Sequence, residues 1–278
     1  MQVLIDSQRG KNMRIYDQNI WGNFSAEGQY VANRNRLIKE MIFDIKPEFC
    51  CFQECNPYTS RNGAEPIQEI LKTAYVEIKS EYSDKNYTPL FYDPKRVDVM
   101  ECGYFPFEGF NDLDSKSASW GVFKELSTGK IVSVVSTHFW WKAESAEDEM
   151  QRRKNAKAIA NLAKEIDKKH GCPMIVCGDL NSGDTEQGIG GYDEMLKTGF
   201  KDVRFISDKS DNSYTCCTVY PIYENGKYIN GEQPNQTIDY ILAYNAEQLK
   251  AKEFLVLNTE KSRASSDHLP LIFNLELI

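Results

Sequence analysis

Six places along this sequence carry polar residues where an apolar stretch ends. They are Asn19, Glu54, His138, Asp179 with Asn181, Asp239, and Asp267 with His268. Carboxylate and amide oxygens are hard ligands that suit Mg²⁺ or Mn²⁺, and a histidine oriented by a carboxylate can act as a base or a hydrogen-bond donor. Because loops at one rim of a sheet carry function together, we expect these residues to form one site.

The types of these residues predict a different role for each group. Glu54, Asp267 and Asn19 are the predicted metal ligands, since each offers a side-chain oxygen. Asp239 lies inside a buried apolar stretch and is the predicted partner that orients His268.

His138 is a second predicted proton-handling group. Asp179 and Asn181 follow the apolar run 174–177 and can hold a water or a hard cation, although an ordinary Asx turn explains the pair equally well. The sequence has no Gly-x-Ser-x-Gly elbow, no Walker loop and no paired Cys-His nucleophile. The predicted chemistry is attack by a metal-activated water on an electrophile that binds a cation through its oxygens, such as a phosphoester.

Hydrophobic periodicity predicts the elements that must position these residues. Strands are predicted at 14–22, 49–54, 88–92, 97–105, 118–126, 130–138, 174–177, 237–242, 254–257 and 271–275, and helices at 34–46, 67–73, 145–170 and 192–198. Ser145 and Asp148 form a capping-box pattern at the start of the clearest helix, and Gly171 ends it. His170 at that helix end has a structural explanation and is not a catalytic candidate. Residues 207–236, rich in Asp, Asn, Ser, Gly and Pro, predict a long loop that can contain a hairpin.

Composition bounds the class of protein. The 278 residues carry a formal net charge of −8, and the pI is near 5.1, so the chain lacks the basic footprint that binding to a phosphate backbone favours. No apolar run is long enough for a membrane span, and no signal peptide is visible. We therefore expect a cytoplasmic protein, or a secreted or periplasmic one if a signal peptide has been removed. Eight irregularly spaced cysteines predict buried free thiols rather than disulfides or a zinc site.

The chain is predicted to form a single domain at 13–278, because no repeat or linker-like composition interrupts it. Residues 1–12 are predicted to be an extension outside the fold, since Met13 would itself make a natural start.

In their order and approximate spacing, the polar motifs resemble those of the endonuclease/exonuclease/phosphatase superfamily, whose members share the DNase I-like fold. The motifs are Asn19-Ile20, Gln53-Glu54, Ser136-Thr137-His138, Gly178-Asp179-Leu180-Asn181, Ile238-Asp239-Tyr240-Ile241 and Ser266-Asp267-His268. The resemblance runs from about residue 13 to the end. It implies an α/β fold, a four-layer sandwich of two packed mixed β-sheets flanked by helices, with the site at one end.

The resemblance also implies roles for single residues. Glu54 resembles the main metal ligand of the family, helped by Asn19 and Asp267, with one or two Mg²⁺ or Mn²⁺ ions. Asp179 and Asn181 resemble the pair that positions the attacking water and the scissile phosphate.

His268, held by Asp239, resembles the base or phosphate-stabilising histidine of the family. At position 138 the abasic-site repair branch has a tyrosine, whereas His138 matches the DNase I, phosphatase and sphingomyelinase-like branches. This difference lowers the expectation of a DNA-repair enzyme.

The residues after His138 depart from the family, where Leu-Asp-His is common. Trp140 and Trp141 are candidates to stack on a base, a sugar face or an apolar substrate group, and packing under the helix at 145–170 is an equal alternative. Three cations can supply positive charge to a phosphate, although solvated surface charge is the more ordinary explanation of each: Lys116, Arg152 and Arg153.

Three functions are consistent with these features. The first is a divalent-metal-dependent phosphodiesterase or phosphatase that acts on a small phosphorylated molecule or a lipid head group. The second is a DNase I-like nuclease that cleaves DNA or RNA, which the acidic balance disfavours. The third is a non-catalytic binding protein on the same scaffold, which the complete set of expected ligand positions disfavours.

Overall fold

The computed structural model describes residues 12–22, 28–55, 65–79, 86–183, 190–217, 222–224, 227–230 and 234–278. All of the predicted extension at 1–12 except Asn12 lies outside these ranges, as do parts of the predicted loop at 207–236.

Two mixed β-sheets contain most of the described strands. The first sheet has the spatial order β10 (Lys209–Ser210), β14 (Leu249–Val256), β15 (Leu271–Leu277), β1 (Met13–Asn19), β2 (Phe49–Gln53), β4 (Leu90–Tyr92) and β3 (Val76–Glu77). The second has the order β5 (Val97–Pro106), β6 (Ser117–Glu125), β7 (Ile131–His138), β8 (Met174–Asp179), β13 (Asp239–Tyr244) and β9 (Lys201–Asp202). A separate hairpin pairs β11 (Ile222–Glu224) with β12 (Lys227–Asn230). The sheets are mixed because β1 runs parallel to β2 and antiparallel to β15, while β7 runs parallel to β8 and antiparallel to β6.

Helices cover the outer face of each sheet and complete four layers. The described α-helices are α1 (Gly28–Ile45), α2 (Ile67–Leu71), α3 (Ala146–His170), α4 (Gly191–Lys197), α5 (Val203–Ile206) and α6 (Glu260–Ser265). Ile38 and Ile42 of α1 pack on the first sheet, and Ile159 of α3 with Met195 of α4 packs on the second. The predicted four-layer α/β sandwich is confirmed.

Alternation along the strands decides which side chains lie between the sheets. In β1, Ile15 lies in this inter-sheet layer, whereas Tyr16 packs in the cluster under α1. In β8, Ile175 and Cys177 lie in the inter-sheet layer, whereas Val176 packs in the cluster under α3. Two residues further along, the same parity brings polar side chains to the end of this layer.

The predicted long helix is confirmed at both ends. Ser145 and Asp148 form the capping box, and Gly171 ends α3 with a left-handed φ of 61°. His170 pairs with Glu101 at 2.8 Å. The sequence did not predict β3, β9, α5 and α6, because elements this short show too little periodicity.

The eight cysteines are free, and all except Cys102 are buried, as predicted. Within the described ranges, no helix combines the length and apolar character needed to cross a membrane.

Candidate active site

Three adjacent strands of the second sheet place a histidine and two aspartates side by side. The parallel register of β7 and β8 pairs His138 with Asp179, and β13 sets Asp239 opposite Asp179 in antiparallel register. All three side chains share the parity of the inter-sheet layer and are almost fully buried. Because β13 runs against β8, Asp239 begins its strand at the rim where Asp179 ends its own.

The backbone around these residues is unusual. Gly178 has a φ of 154°, and a Cβ there would lie 1.9 Å from the carbonyl oxygen of Thr137, so only glycine fits between β7 and β8. Glu54 and Asn181 have positive φ angles of 54° and 48°. Non-glycine residues adopt this region at a cost in free energy, and such residues cluster at functional sites.

The first sheet contributes Asn19 at the end of β1 and Glu54 directly after β2. Asn19 Nδ2 donates to Asp179 Oδ2 at 3.0 Å and to Glu54 Oε1 at 3.3 Å, so one amide links carboxylates from both sheets. The backbone N–H of Trp21 donates to Asn19 Oδ1 at 2.9 Å. The buried Arg34 fixes this turn, because its guanidinium donates to the two carbonyls that flank Trp21, at 2.7 and 2.9 Å.

The loop before β15 contributes Asp267 and His268. His268 Nδ1 lies 2.9 Å from Asp239 Oδ1, and Thr215 Oγ1 donates to Asp239 Oδ2 at 2.7 Å. The other ring nitrogen of His268, Nε2, lies 4.0 Å from both Asp179 Oδ2 and Asp267 Oδ1. The imidazole is therefore oriented by one aspartate and presented to two more.

Lys116, directly before β6, lies against His138. Its Nζ is 3.0 Å from His138 Nε2, and the Nδ2 of Asn181 is also 3.0 Å from that nitrogen. Asp179 Oδ2 lies 3.5 Å from the same atom. Because Lys116 is only 5% exposed, the interpretation of this residue as a solvated surface charge is wrong.

The pKa values of the two histidines shift in opposite directions. Burial lowers the pKa of His138 well below its usual value, and the charge of Lys116 lowers it further. Burial would also lower the pKa of His268, but the negative charges of Asp239 and Asp267 outweigh it and hold the pKa well above the usual value. At neutral pH, His138 is therefore neutral and His268 protonated in the metal-free protein.

The pKa values of two acids at the rim are raised. Burial raises the pKa of Asp179 to about 7, and the charge of Asp239 contributes. Burial also raises the pKa of Asp267, and among the nearby charges Glu54 acts in the same direction. Ligand atoms of Asp179, Asp239 and His268 all lie within 4.8 Å of one another, so these three residues could hold a metal ion if His268 released its proton. This donor set fits a divalent cation.

The aromatic residues after His138 differ from each other. Trp140 is buried and donates from Nε1 to Asp148 at 2.6 Å, whereas Trp141 is 51% exposed. Arg152 is also buried, so it is not a solvated surface charge. Its guanidinium binds Glu149 and two carbonyls of the segment that contains the tryptophans.

Sequence reasoning missed several polar residues that support the site. Gln18 Nε2 donates to the main-chain oxygen of His268 at 3.1 Å. Asp17 and Gln53 are buried in the inter-sheet layer, where Gln53 Nε2 donates to Asp17 Oδ1 at 2.9 Å. A polar residue at core parity in β1 was a usable signal for Asp17. Thr215 gave no signal, because it lies in the segment predicted as a loop.

The chain belongs to the endonuclease/exonuclease/phosphatase family, because the sequence model of that family matches residues 18–268. This span includes all the site residues predicted from the sequence, from Asn19 to His268, and the resemblance stated from the motifs is confirmed. The name of the family joins nucleases and phosphatases, and both hydrolyse phosphoesters. No curated protein matches the chain in sequence.

Solved structures share the fold at low sequence identity. An endonuclease/exonuclease/phosphatase family protein from Bacteroides thetaiotaomicron superposes with a TM-score of 0.71 at 20% identity, covering 96% of this chain and 98% of that one. The mannosyl-6-phosphatase Bt3783 of the same organism gives 0.70 at 21% identity, covering 96% and 99%. TDP2 from D. rerio, in complex with a single-strand DNA product, gives 0.69 at 16% identity, covering 95% and 99%.

Proposed function

We propose that this protein is a divalent-metal-dependent phosphoester hydrolase acting on a small phosphorylated molecule or a lipid head group. The supporting observation is the meeting, at one rim, of Asn19 and Glu54 from the first sheet with His138, Asp179 and Asp239 from the second. This combination of acids, amide and imidazole suits a reaction in which negative charge builds on phosphate oxygens.

Glu54 and Asp267 would hold the proposed ion, Mg²⁺ or Mn²⁺, with Asn19 as a further oxygen ligand. When bound, it would polarise the phosphoryl oxygens and lower the pKa of a water. Asn19 Oδ1 accepts one hydrogen bond from Trp21, and an amide oxygen has a second lone pair for a cation.

The protein groups around the ion are proposed to handle the proton and the phosphate. Asp179, with a pKa of about 7, can take a proton from the attacking water, while Asn181 holds that water or a phosphate oxygen. Protonated His268 donates a hydrogen bond to a phosphate oxygen as charge develops there. Lys116 and the neutral His138, which lie in contact with each other, are proposed to bind the phosphate as well.

Glu54→Gln tests the proposal. With Mg²⁺ or Mn²⁺, we expect kcat to fall about 10²-fold or more, because the ion loses a charged ligand, and we expect calorimetry to show weaker metal binding. Glu48→Gln is the matched control. Glu48 is buried next to the other end of β2, where it accepts from the backbone of Arg14 and pairs with Arg96. This variant should lose stability but keep kcat. Unchanged turnover in Glu54→Gln would contradict the proposed role of Glu54 as a metal ligand. Absence of turnover in the natural protein on every phosphoester would instead favour a non-catalytic binding protein.

The substrate is best sought with both ions over mononucleotides, inositol phosphates, phospholipids, and single- and double-stranded DNA. A DNase I-like nuclease is the second candidate, favoured by the structural likeness to TDP2 with its DNA product and disfavoured by the net charge of −8. DNA cleavage that weakens steeply with ionic strength would support the nuclease, because counterions must be released on binding. Salt-insensitive or absent cleavage would exclude it.

A further inference from the structure

An aromatic shelf stands beside the candidate site and has no part in the proposed hydrolysis. Its members come from the β5–β6 loop and the segment between β7 and α3, and they are Phe110, Leu113, Trp140, Trp141 and Lys142. The ring centroids of Phe110 and Trp140 are 5.3 Å apart, and those of the two tryptophans are 6.2 Å apart. Lys142 Nζ lies 5.9 and 5.6 Å from the two indole centroids.

The upper surface of the shelf is open to solvent. Trp141 is 51% exposed, Phe110 46% and Leu113 92%, while the buried Trp140 lies against the rings of Phe110 and Trp141. Large apolar side chains that adjoin one another at the surface mark a binding surface, whereas scattered single ones do not.

Interactions of Trp141 and Asp112 link the shelf to Lys116 and His138, the proposed phosphate-binding residues. Trp141 Nε1 donates to Asp112 Oδ2 at 2.5 Å, and the carboxylate of Asp112 interacts electrostatically with Lys116. Lys116 in turn touches His138, which stands three residues before Trp141 in the chain. Lys116 thus belongs to one of the two chain segments of the shelf and His138 directly precedes the other, so a group attached to a phosphate bound there would extend next to these segments.

The loop that carries Leu113 is held in an uncommon conformation. Asp112, Leu113 and Asp114 have positive φ angles of 48°, 59° and 72° in succession. Left-handed conformations cost free energy for non-glycine residues, and they persist where surrounding contacts enforce them, often at ligand-binding segments. The bond from Trp141 to Asp112 is one such contact.

We infer that the shelf binds a flat, unsaturated ring that the substrate carries beyond its phosphoester oxygen, of the nucleobase or aryl type. This inference rests on the proposed function, because it takes the phosphate to lie at Lys116 and His138. Aromatic faces attract such rings by stacking, and an ammonium over the indoles adds attraction for an electron-rich ring. A saturated chain would gain neither.

The test compares two ligands that differ only in the ring. Adenosine 5′-monophosphate and ribose 5-phosphate serve for turnover with Mg²⁺, and their phosphonate analogues, which cannot be hydrolysed, serve for binding by calorimetry. Trp141→Ala should weaken binding of the adenosine ligand about tenfold or more and change binding of the ribose ligand less than about twofold. Trp141→Phe should restore most of the loss.

Phe205→Ala is the matched control, because Phe205 is also an exposed aromatic, with the Arg204 guanidinium 5.5 Å from its ring, near the opposite end of β13 from Asp239. Phe205→Ala should leave the binding of both ligands unchanged. Equal effects of Trp141→Ala on both ligands, or no effect on either, would overturn the inference. A third result would also overturn it. If Trp141→Ala and Leu113→Ala no longer bound phosphatidylcholine vesicles but still bound the adenosine ligand normally, the shelf would be a membrane-binding surface. If binding depended on the ring but no phosphoester were hydrolysed, the proposed function would be wrong, while the inference that the shelf binds a flat ring would still hold.

Discussion

His138 and His268 are buried at the same rim, yet their neighbours give them opposite charge. His138 lies beside the Lys116 ammonium, and both burial and that ammonium lower its pKa. His268 is held by Asp239 and faces Asp267, and these carboxylates raise its pKa against the effect of burial. Of two identical side chains, His138 is thus a neutral imidazole and His268 a cationic hydrogen-bond donor. This difference in charge comes from their neighbours alone.

Asp179 stands between the two histidines. Its Oδ2 lies 3.5 Å from Nε2 of His138 and 4.0 Å from Nε2 of His268. A group with a pKa of about 7 placed between a neutral and a protonated imidazole can exchange a proton near neutral pH. The comparison therefore predicts that substitutions of the residues around His268 will lower kcat more than substitutions of the residues around His138.

Asp239→Asn should give the largest effect. His268 would lose the charge that keeps it protonated and oriented, so its pKa should fall and kcat should drop about 10²- to 10⁴-fold. Kinetics and NMR titration of His268 measure both. Asp202→Asn is the matched control, because Asp202 is a buried acid on the neighbouring strand, bound to Arg204. It should lower the melting temperature and keep kcat. A near-normal kcat in Asp239→Asn would show that the charge of Asp239 on His268 is not needed for activity.

Lys116→Met should have a smaller effect. Removing the ammonium should raise the pKa of His138, although burial will still hold it below the usual value, and kcat/KM should fall about 10- to 10²-fold because a phosphate contact is lost. The chain has only three histidines, so NMR can follow each one. An unmoved His138 signal would show that the lysine does not set its charge.

Asp179→Asn tests the group shared by the two histidines. The folded-state pKa of about 7 lies above the usual value of 3.8, so the protonated acid stabilises the metal-free fold below pH about 4, and this contribution is lost as pH rises towards 7. Asparagine cannot ionise. Without added metal, the variant should therefore melt at least about 2 °C above the natural protein at pH 8 but not at pH 4. Scanning calorimetry at both pH values measures this, and an equal difference at both would contradict the pKa.

Thr215→Val should have the smallest effect. The Asp239 carboxylate would lose its 2.7 Å hydrogen bond and the Asp239 backbone N–H its 3.2 Å acceptor. Asp239 would keep its charge and its contact with His268, so kcat should fall less than about tenfold. Steady-state kinetics beside Asp239→Asn gives the comparison. A loss as large as that of Asp239→Asn would mean that the orientation of the carboxylate, more than its charge, prepares His268.

Much of the fold was predictable, because apolar alternation records which face of a strand is covered. The runs at 130–138 and 174–177 predicted two buried strands with polar residues at or just after their ends. In the structure the second strand extends to Asp179, and the pairing of the two strands brings His138 and Asp179 together. The family resemblance supplied the layer order, which no single stretch of sequence contains.

The surroundings of the predicted residues were not predictable. Lys116 looked like a surface charge, and its burial depends on how the β5–β6 loop meets β7. Thr215 sits in a segment without periodicity and finds its partner 24 residues later. The opposite charge states of His138 and His268 follow from such neighbours, so sequence could name both imidazoles without distinguishing them.

The hydrogen bond from Ser266 Oγ to the main-chain oxygen of Asn19 spans 247 positions of the chain. The first strand also lies between β2 and β15, so the rim closes only when the beginning and the last strand have met. We therefore expect a nascent chain whose residue 268 is still inside the ribosome to lack the complete candidate site. During refolding, recovered turnover should mark the slow joining of distant segments, after local helices have already formed.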